Sequence, residues 1–119
     1  LDWDNLIEEM EALGKSERRE IESRLRVLIA HILKRQYVKS ANDYRGWENT
    51  IDEQRSELEI LLRQSPSLKA CFTEVFGGAY NHALHRVRKN YPDVVFPEQW
   101  PFSREISAIL TEDLWQENR

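Results

Sequence analysis

The sequence has few of the residues that staple, break or anchor a chain. Among 119 residues there are one cysteine, four glycines and four prolines. Cys71 has no partner within the chain, which excludes a disulfide scaffold. The longest apolar run, Val27 to Leu33, is interrupted by His31 and falls far short of the roughly 20 residues a membrane helix needs. No segment alternates apolar and polar residues as a half-buried strand does. No charged-then-apolar leader suggests export, so a cytoplasmic protein is expected. A phosphate-cradling glycine loop is missing too: Gly77-Gly78 lacks a following Lys-Ser/Thr and lies within a helical pattern.

What is there suits one small domain. Four Trp, four Tyr and four Phe are too many for a chain that never packs. A single helical domain over residues 1–119 is expected, with a core that forms without a disulfide or structural metal. Leu1 is not an initiator Met, so an N-terminal segment of the full-length protein is expected to precede it.

Apolar residues recur at helical spacing in every long segment. Trp3, Leu6, Ile7, Met10 and Leu13 share one face, and Gly14 is expected to stop or kink that helix. Ser16 then caps a second helix, Glu17 to Tyr37, with a stripe of Ile21, Leu25, Leu28, Ile29, Ile32 and Leu33. A polar loop from Lys39 to Tyr44 follows, with Gly46 close behind. The third helix carries Trp47, Ile51, Leu58, Leu61 and Leu62, and Gln54 inside that stripe needs a partner on a neighbouring helix or a water.

Ser65-Pro66-Ser67 opens a fourth helix with Pro at the first helical position, where its missing N–H costs nothing. It runs to about Asn90 and buries Leu68, Phe72, Val75, Phe76, Ala79, Ala83 and Val87. Gly77-Gly78 in its middle predicts a close helix crossing or a kink. Tyr91 to Phe102 is Pro-rich and non-helical, with Trp100 and Phe102 expected to form a lid over one end of the core. Ser103 caps a short helix containing Ile106, Ile109 and Leu110. The fold class is all-α: an antiparallel bundle of about four main helices plus a short C-terminal helix.

The net charge of -4 conceals segregation. Residues 1–14, 15–45, 46–62, 63–91 and 92–119 carry -5, +5, -4, +4 and -4. Helices of opposite sign are therefore expected to be neighbours. The sharper reading is a basic face on the second and fourth helices that receives an acidic partner or nucleic acid, although duplex-binding domains usually have a pI well above the 5.4 found here.

No set of residues announces catalysis. Carboxylate-bridged di-iron bundles need Glu three residues before His, and Leu28, Ala79 and His82 stand there instead. His82 and His85 are three apart, yet no nearby Cys or acid completes a ligand set, so no metal ligand is assigned. Cys71 at the edge of a stripe reads as a small hydrophobe rather than an activated thiolate. His31 suits packing or a rim hydrogen bond. The acids Asp2, Asp4, Glu8 and Glu9 offer an acid–base pair of a kind that 21 acids supply by chance. No catalytic residue, cofactor or small-molecule ligand is inferred.

Separated blocks of sequence nevertheless match a family. Leu1-Asp-Trp-Asp-Asn-Leu-Ile-Glu-Glu-Met10, Leu13-Gly-Lys-Ser-Glu-Arg-Arg19 and His31-Ile-Leu-Lys34 open the match. Trp47, Thr50-Ile51, Glu53-Gln-Arg55, Leu61-Leu62, Ser65-Pro-Ser-Leu68 and Ala79-Tyr80 continue it. Phe96-Pro97-Glu98, Trp100-Pro-Phe-Ser103, Ile109-Leu110 and Asp113-Leu-Trp115 complete it. Together they resemble the bacterial "domain of unknown function 29" family. The resemblance implies a small, soluble, cytoplasmic helical protein whose relatives begin earlier, with an aromatic-containing segment, and it transfers no activity. His82 and His85 depart from the family pattern, where polar or acidic residues stand.

Three functions remain open on the sequence. The first is a non-enzymatic protein–protein interaction module, binding another protein or a second copy. The second is a nucleic-acid-associated or regulatory factor using Arg18, Arg19, Arg24, Arg26, Lys34 and Arg35. The third is an unrecognised metal-dependent enzyme.

Overall fold

Three long helices and a short one make up the protein in a computed structural model, which describes residues 3–112 and 114–115 and, within them, side chains from residue 14 onward. α1 spans Trp3–Tyr37, α2 Ala41–Gln64, α3 Leu68–Asn90 and α4 Ile106–Thr111. No strand occurs among the described residues. The expected count of about four main helices is corrected to three, because the first two expected helices are one.

α1 runs through Gly14 and Ser16 without a break. Gly14 has no positive φ, and a glycine inside a helix costs only about 1 kcal/mol relative to alanine. Continuing the backbone hydrogen bonds outweighs that cost where no proline intervenes. The apolar face proposed for Trp3 to Leu13 lies outside the described side chains, as do the acids Asp2, Asp4, Glu8 and Glu9.

α2 also starts earlier than expected, so residues 41–44 are helical rather than a loop. Ser40 stands at the N-cap, its Oγ donating to Asp43 Oδ2 at 2.5 Å while Asp43 N–H bonds back to the Ser40 carbonyl. Asp43 thus places negative charge in the first turn, where the helix dipole favours it. α3 begins at Leu68, two residues after Pro66. Its entry is a tight turn in which Leu68 N–H bonds to Ser65 O and Lys69 N–H to Pro66 O. The Gly77-Gly78 expectation fails: α3 is continuous there, and a Cβ on either glycine would meet nothing within 4 Å. No described neighbour crosses closely enough to need them.

α1 is the organising helix. It packs on both α2 and α3, which touch each other only slightly, while α4 rests on α2 and α3. Its six stripe residues, Ile21, Leu25, Leu28, Ile29, Ile32 and Leu33, are fully buried. Each contributes about 1.5–3 kcal/mol by leaving water. Trp47, Ile51, Leu58 and Leu62 of α2, and all seven residues expected from α3, close the core. Gln54 finds its partner on α1, accepting from Arg24 at 3.1 Å.

The segment after α3 turns back and packs on Phe76 and Tyr80 in the middle of α3, rather than over one end of the core as expected of a lid. Trp100 stands edge-on to Phe76, Tyr80 and Phe102 at centroid distances of 5.3, 5.9 and 5.1 Å. Its indole N–H donates to Ser103 O, and the Tyr80 hydroxyl donates to Pro97 O at 2.6 Å.

Candidate functional site

A groove of about 390 Å³ opens between α1 and α3. Its α1 wall comes from Ser23, Arg26, Val27, Ala30, His31 and Lys34, and spacings of three and four put all of these on one face. His82, Ala83, Arg86, Val87 and Asn90 form the α3 wall by the same rule. Ala30 and Ala83 are too small to fill the space at this crossing, which leaves it open at the rim. Arginine, lysine and histidine line the groove, and no carboxylate does.

The local hydrogen bonds set how these groups behave. His31 Nδ1 lies 2.8 Å from the Val27 carbonyl, which can only accept, so Nδ1 carries the proton. Nε2 is left as an acceptor for the Lys34 ammonium at 3.5 Å. Burial holds the His31 pKa below the ordinary value; the Val27 bond opposes this and Lys34 adds to it. Lys34 is also lowered, first by burial, with Asp43 of α2 opposing and Arg86 of α3 reinforcing the shift. Lys34 further lies 5.4 Å from the Trp47 ring centroid. Arg26 gives one guanidinium nitrogen to Glu22 at 2.7 Å, while its buried Nε makes no hydrogen bond to any described residue.

The expected basic face is thereby divided. Arg18 pairs with Glu74 of α3 at 3.1 Å, and Arg24 with Glu20 at 3.2 Å and Glu57 of α2 at 3.8 Å. Arg35 is buried, 3.5 Å from Glu48 and 4.0 Å over the Tyr44 ring. Arg26 and Lys34 line the groove. Opposite charge blocks do meet where α1 packs on α2. Where α1 packs on α3 two basic blocks are neighbours, the arrangement that a basic face shared by the second and fourth expected helices requires.

The remaining candidates settle into quieter roles. His82 and His85 are both exposed and share a shallow depression with Arg86 and Lys89, whose charge opposes a bound cation. No group of three His, Cys, Asp or Glu residues able to hold a metal occurs among the described residues. Cys71 is half-buried, and burial pushes its thiol pKa up, with Glu74 and Glu22 adding to the effect and Arg18 opposing it. His31 makes the rim hydrogen bond expected of it.

Two arginines that the sequence pattern does not single out hold key places in the fold and the groove. Arg86 matters because α3 lies against α1, which spacing alone does not reveal. Arg55 is buried in line with Ile51 and Leu58 and ties α2 to α4. Its place on the α2 stripe, between Ile51 and Leu58, is the signal in the sequence that marks it.

No helix among the described residues is long and apolar enough to cross a membrane. No curated protein and no solved structure matches the chain. The family model described as "Domain of unknown function DUF29" matches residues 1–115, and the chain belongs to that family.

Proposed function

We propose that this protein is a non-enzymatic binding module, an antiparallel helical bundle of the cytoplasm whose α1–α3 groove receives an acidic segment of a partner protein. One observation carries the reading: the basic part of α1, from Lys15 to Tyr37, packs against the positively charged α3, and cations from both line a groove that has no carboxylate among the described residues. The chain neutralises most of its arginines internally, as at Arg18–Glu74, Arg24–Glu57, Arg88–Glu98 and, within the groove, Arg26–Glu22, whereas Arg86 makes no ion pair with any described residue. The groove keeps its positive charge outward. A complementary acidic segment is attracted before contact and loses affinity as salt screens it.

Those internal pairs also count against the nucleic-acid reading, because Arg18, Arg24 and Arg35 are already engaged within the chain. A fluorescence anisotropy titration with a labelled Glu/Asp-rich peptide tests the proposal. Binding at low salt that weakens steadily as salt rises is expected. Absence of binding at low salt overturns it. Light scattering on the same samples reports whether a second copy occupies the groove instead, an outcome that also overturns the acidic-segment reading.

A further inference from the structure

We propose that the end of the α1–α3 groove where His31 and Lys34 meet His82 and Arg86 is a binding site for a phosphate-type oxyanion. This rests on the groove being the binding surface, and it names the chemical group taken there.

Donors dominate this end of the groove. Lys34 carries three N–H donors and Arg86 five, and neither can accept. The Asn90 amide lies on the same wall as Arg86, one helical turn further on. Arg86 forms no ion pair with any described residue, whereas Arg18, Arg24, Arg26 and Arg88 each hold a carboxylate. Lys34 and Arg86 are close enough to repel one another, and among the described residues Asp43 alone offsets the charge at Lys34. An anion between them removes that repulsion and satisfies both.

Shape favours a tetrahedral group. The donors stand on two walls contributed by different helices, so oxygens pointing in several directions reach both. A planar carboxylate offers its two oxygens along one edge and engages one wall well. The two fixed cations also match a dianion better than a single negative charge. Arginine and lysine are suited to this task, one by a forked set of donors and the other as a point charge.

His31 adds an adjustable element. Its Nε2 now accepts from Lys34 over a long 3.5 Å. The ammonium is loosely held and can turn to an anion. A proton on Nε2 converts the ring into a further donor facing the same space.

The test is an NMR titration of the intact chain with inorganic phosphate at constant ionic strength, with acetate as the control anion. Phosphate is expected to shift the Lys34, Ala83 and Arg86 signals saturably, while acetate leaves them nearly unmoved. Lys34→Gln combined with Arg86→Gln should weaken phosphate binding at least about tenfold, a loss of about 1.4 kcal/mol. Lys69→Gln, a change at an exposed α3 lysine outside the groove, should leave binding unchanged. Circular dichroism of the double variant confirms that the helices persist.

Phosphate that leaves these signals in place, or binds the double variant equally well, overturns the proposal. A phosphoserine-containing acidic peptide and its serine twin distinguish the source of the anion. Tighter binding of the phosphorylated form assigns the site to a modified partner side chain, and equal binding assigns it to free phosphate. If the serine twin binds the groove but phosphate does not, the oxyanion site fails while the acidic-partner reading stands. If phosphate binds and neither peptide does, the reverse holds.

Discussion

Arg55 on α2 donates from Nε to the carbonyl of Ile109 at 2.9 Å, and a second guanidinium nitrogen reaches Glu112 O at 2.6 Å. Both carbonyls stand at the C-terminal end of α4, where a helix has no intrahelical donors left to satisfy them. A buried cation therefore completes a helix of only six residues that would not persist alone.

Arg55→Met tests this arrangement. It keeps most of the buried length but leaves the two carbonyls without their donor. Losing buried hydrogen bonds of this kind costs about 1–3 kcal/mol, more where a charged donor is involved. Chemical denaturation should show that loss. Hydrogen exchange should become faster in α4 well before it does in α1.

Gly77→Ala and Gly78→Ala should each stabilise the protein by about 0.5–1 kcal/mol. Alanine has the better helix propensity, and its methyl group meets nothing within 4 Å at either position. Thermal melts of the two variants and their combination check this. A lowered melting temperature would show that these glycines serve a crossing after all.

The segment after α3 depends on Tyr80 and Trp100 in different ways. Tyr80→Phe removes only the donor to Pro97 O and should cost about 1 kcal/mol. Trp100→Ala removes a ring packed against Phe76, Tyr80 and Phe102 and should cost about 3–5 kcal/mol. Urea titrations separate the two, and near-UV circular dichroism should lose the Trp100 indole bands only for Trp100→Ala.

The stripe from Ile21 to Leu33 was fully legible, because six apolar residues at helical spacing leave no alternative face to bury. Trp47, Ile51, Leu58 and the α3 residues were legible for the same reason. The end of the first helix was not. Gly14 and Ser16 look like punctuation locally, yet a mild propensity cost yields to continued hydrogen bonding. The Lys39 to Tyr44 segment misled similarly, since its polar residues form the exposed first turns of α2. The groove was half visible: Arg26 and Lys34 were marked as part of a basic face. The charge blocks point to a basic face shared by the second and fourth expected helices, but which of their residues meet, Lys34 with Arg86, depends on the register of packing and is not in the pattern of either helix.

His31 predicts a pH dependence of stability. Its folded pKa is lowered, chiefly by burial, so there is an interval below the ordinary value of 6.5 where the unfolded chain binds the proton and the folded chain does not. Stability therefore rises with pH through that interval and levels off above it. Lys34 on the same helix reinforces the effect, while Arg86 and His82 face it from α3 and Asp43 of α2 acts on Lys34. Denaturation of wild type and His31→Gln across mildly acidic to neutral pH checks this: the variant should show a flatter profile. A bound oxyanion should also flatten the wild-type profile, because it favours the protonated ring.

The central claim is that the charge of the α1–α3 groove selects an anionic partner, and a charge exchange tests it most directly. Isothermal titration of Glu-rich and Lys-rich peptides at low salt would be run on wild type and on Lys34→Glu combined with Arg86→Glu. Wild type should bind only the acidic peptide. The doubly reversed variant should lose that binding and take up the basic peptide. Undiminished binding of the acidic peptide by a folded reversed variant would contradict the account.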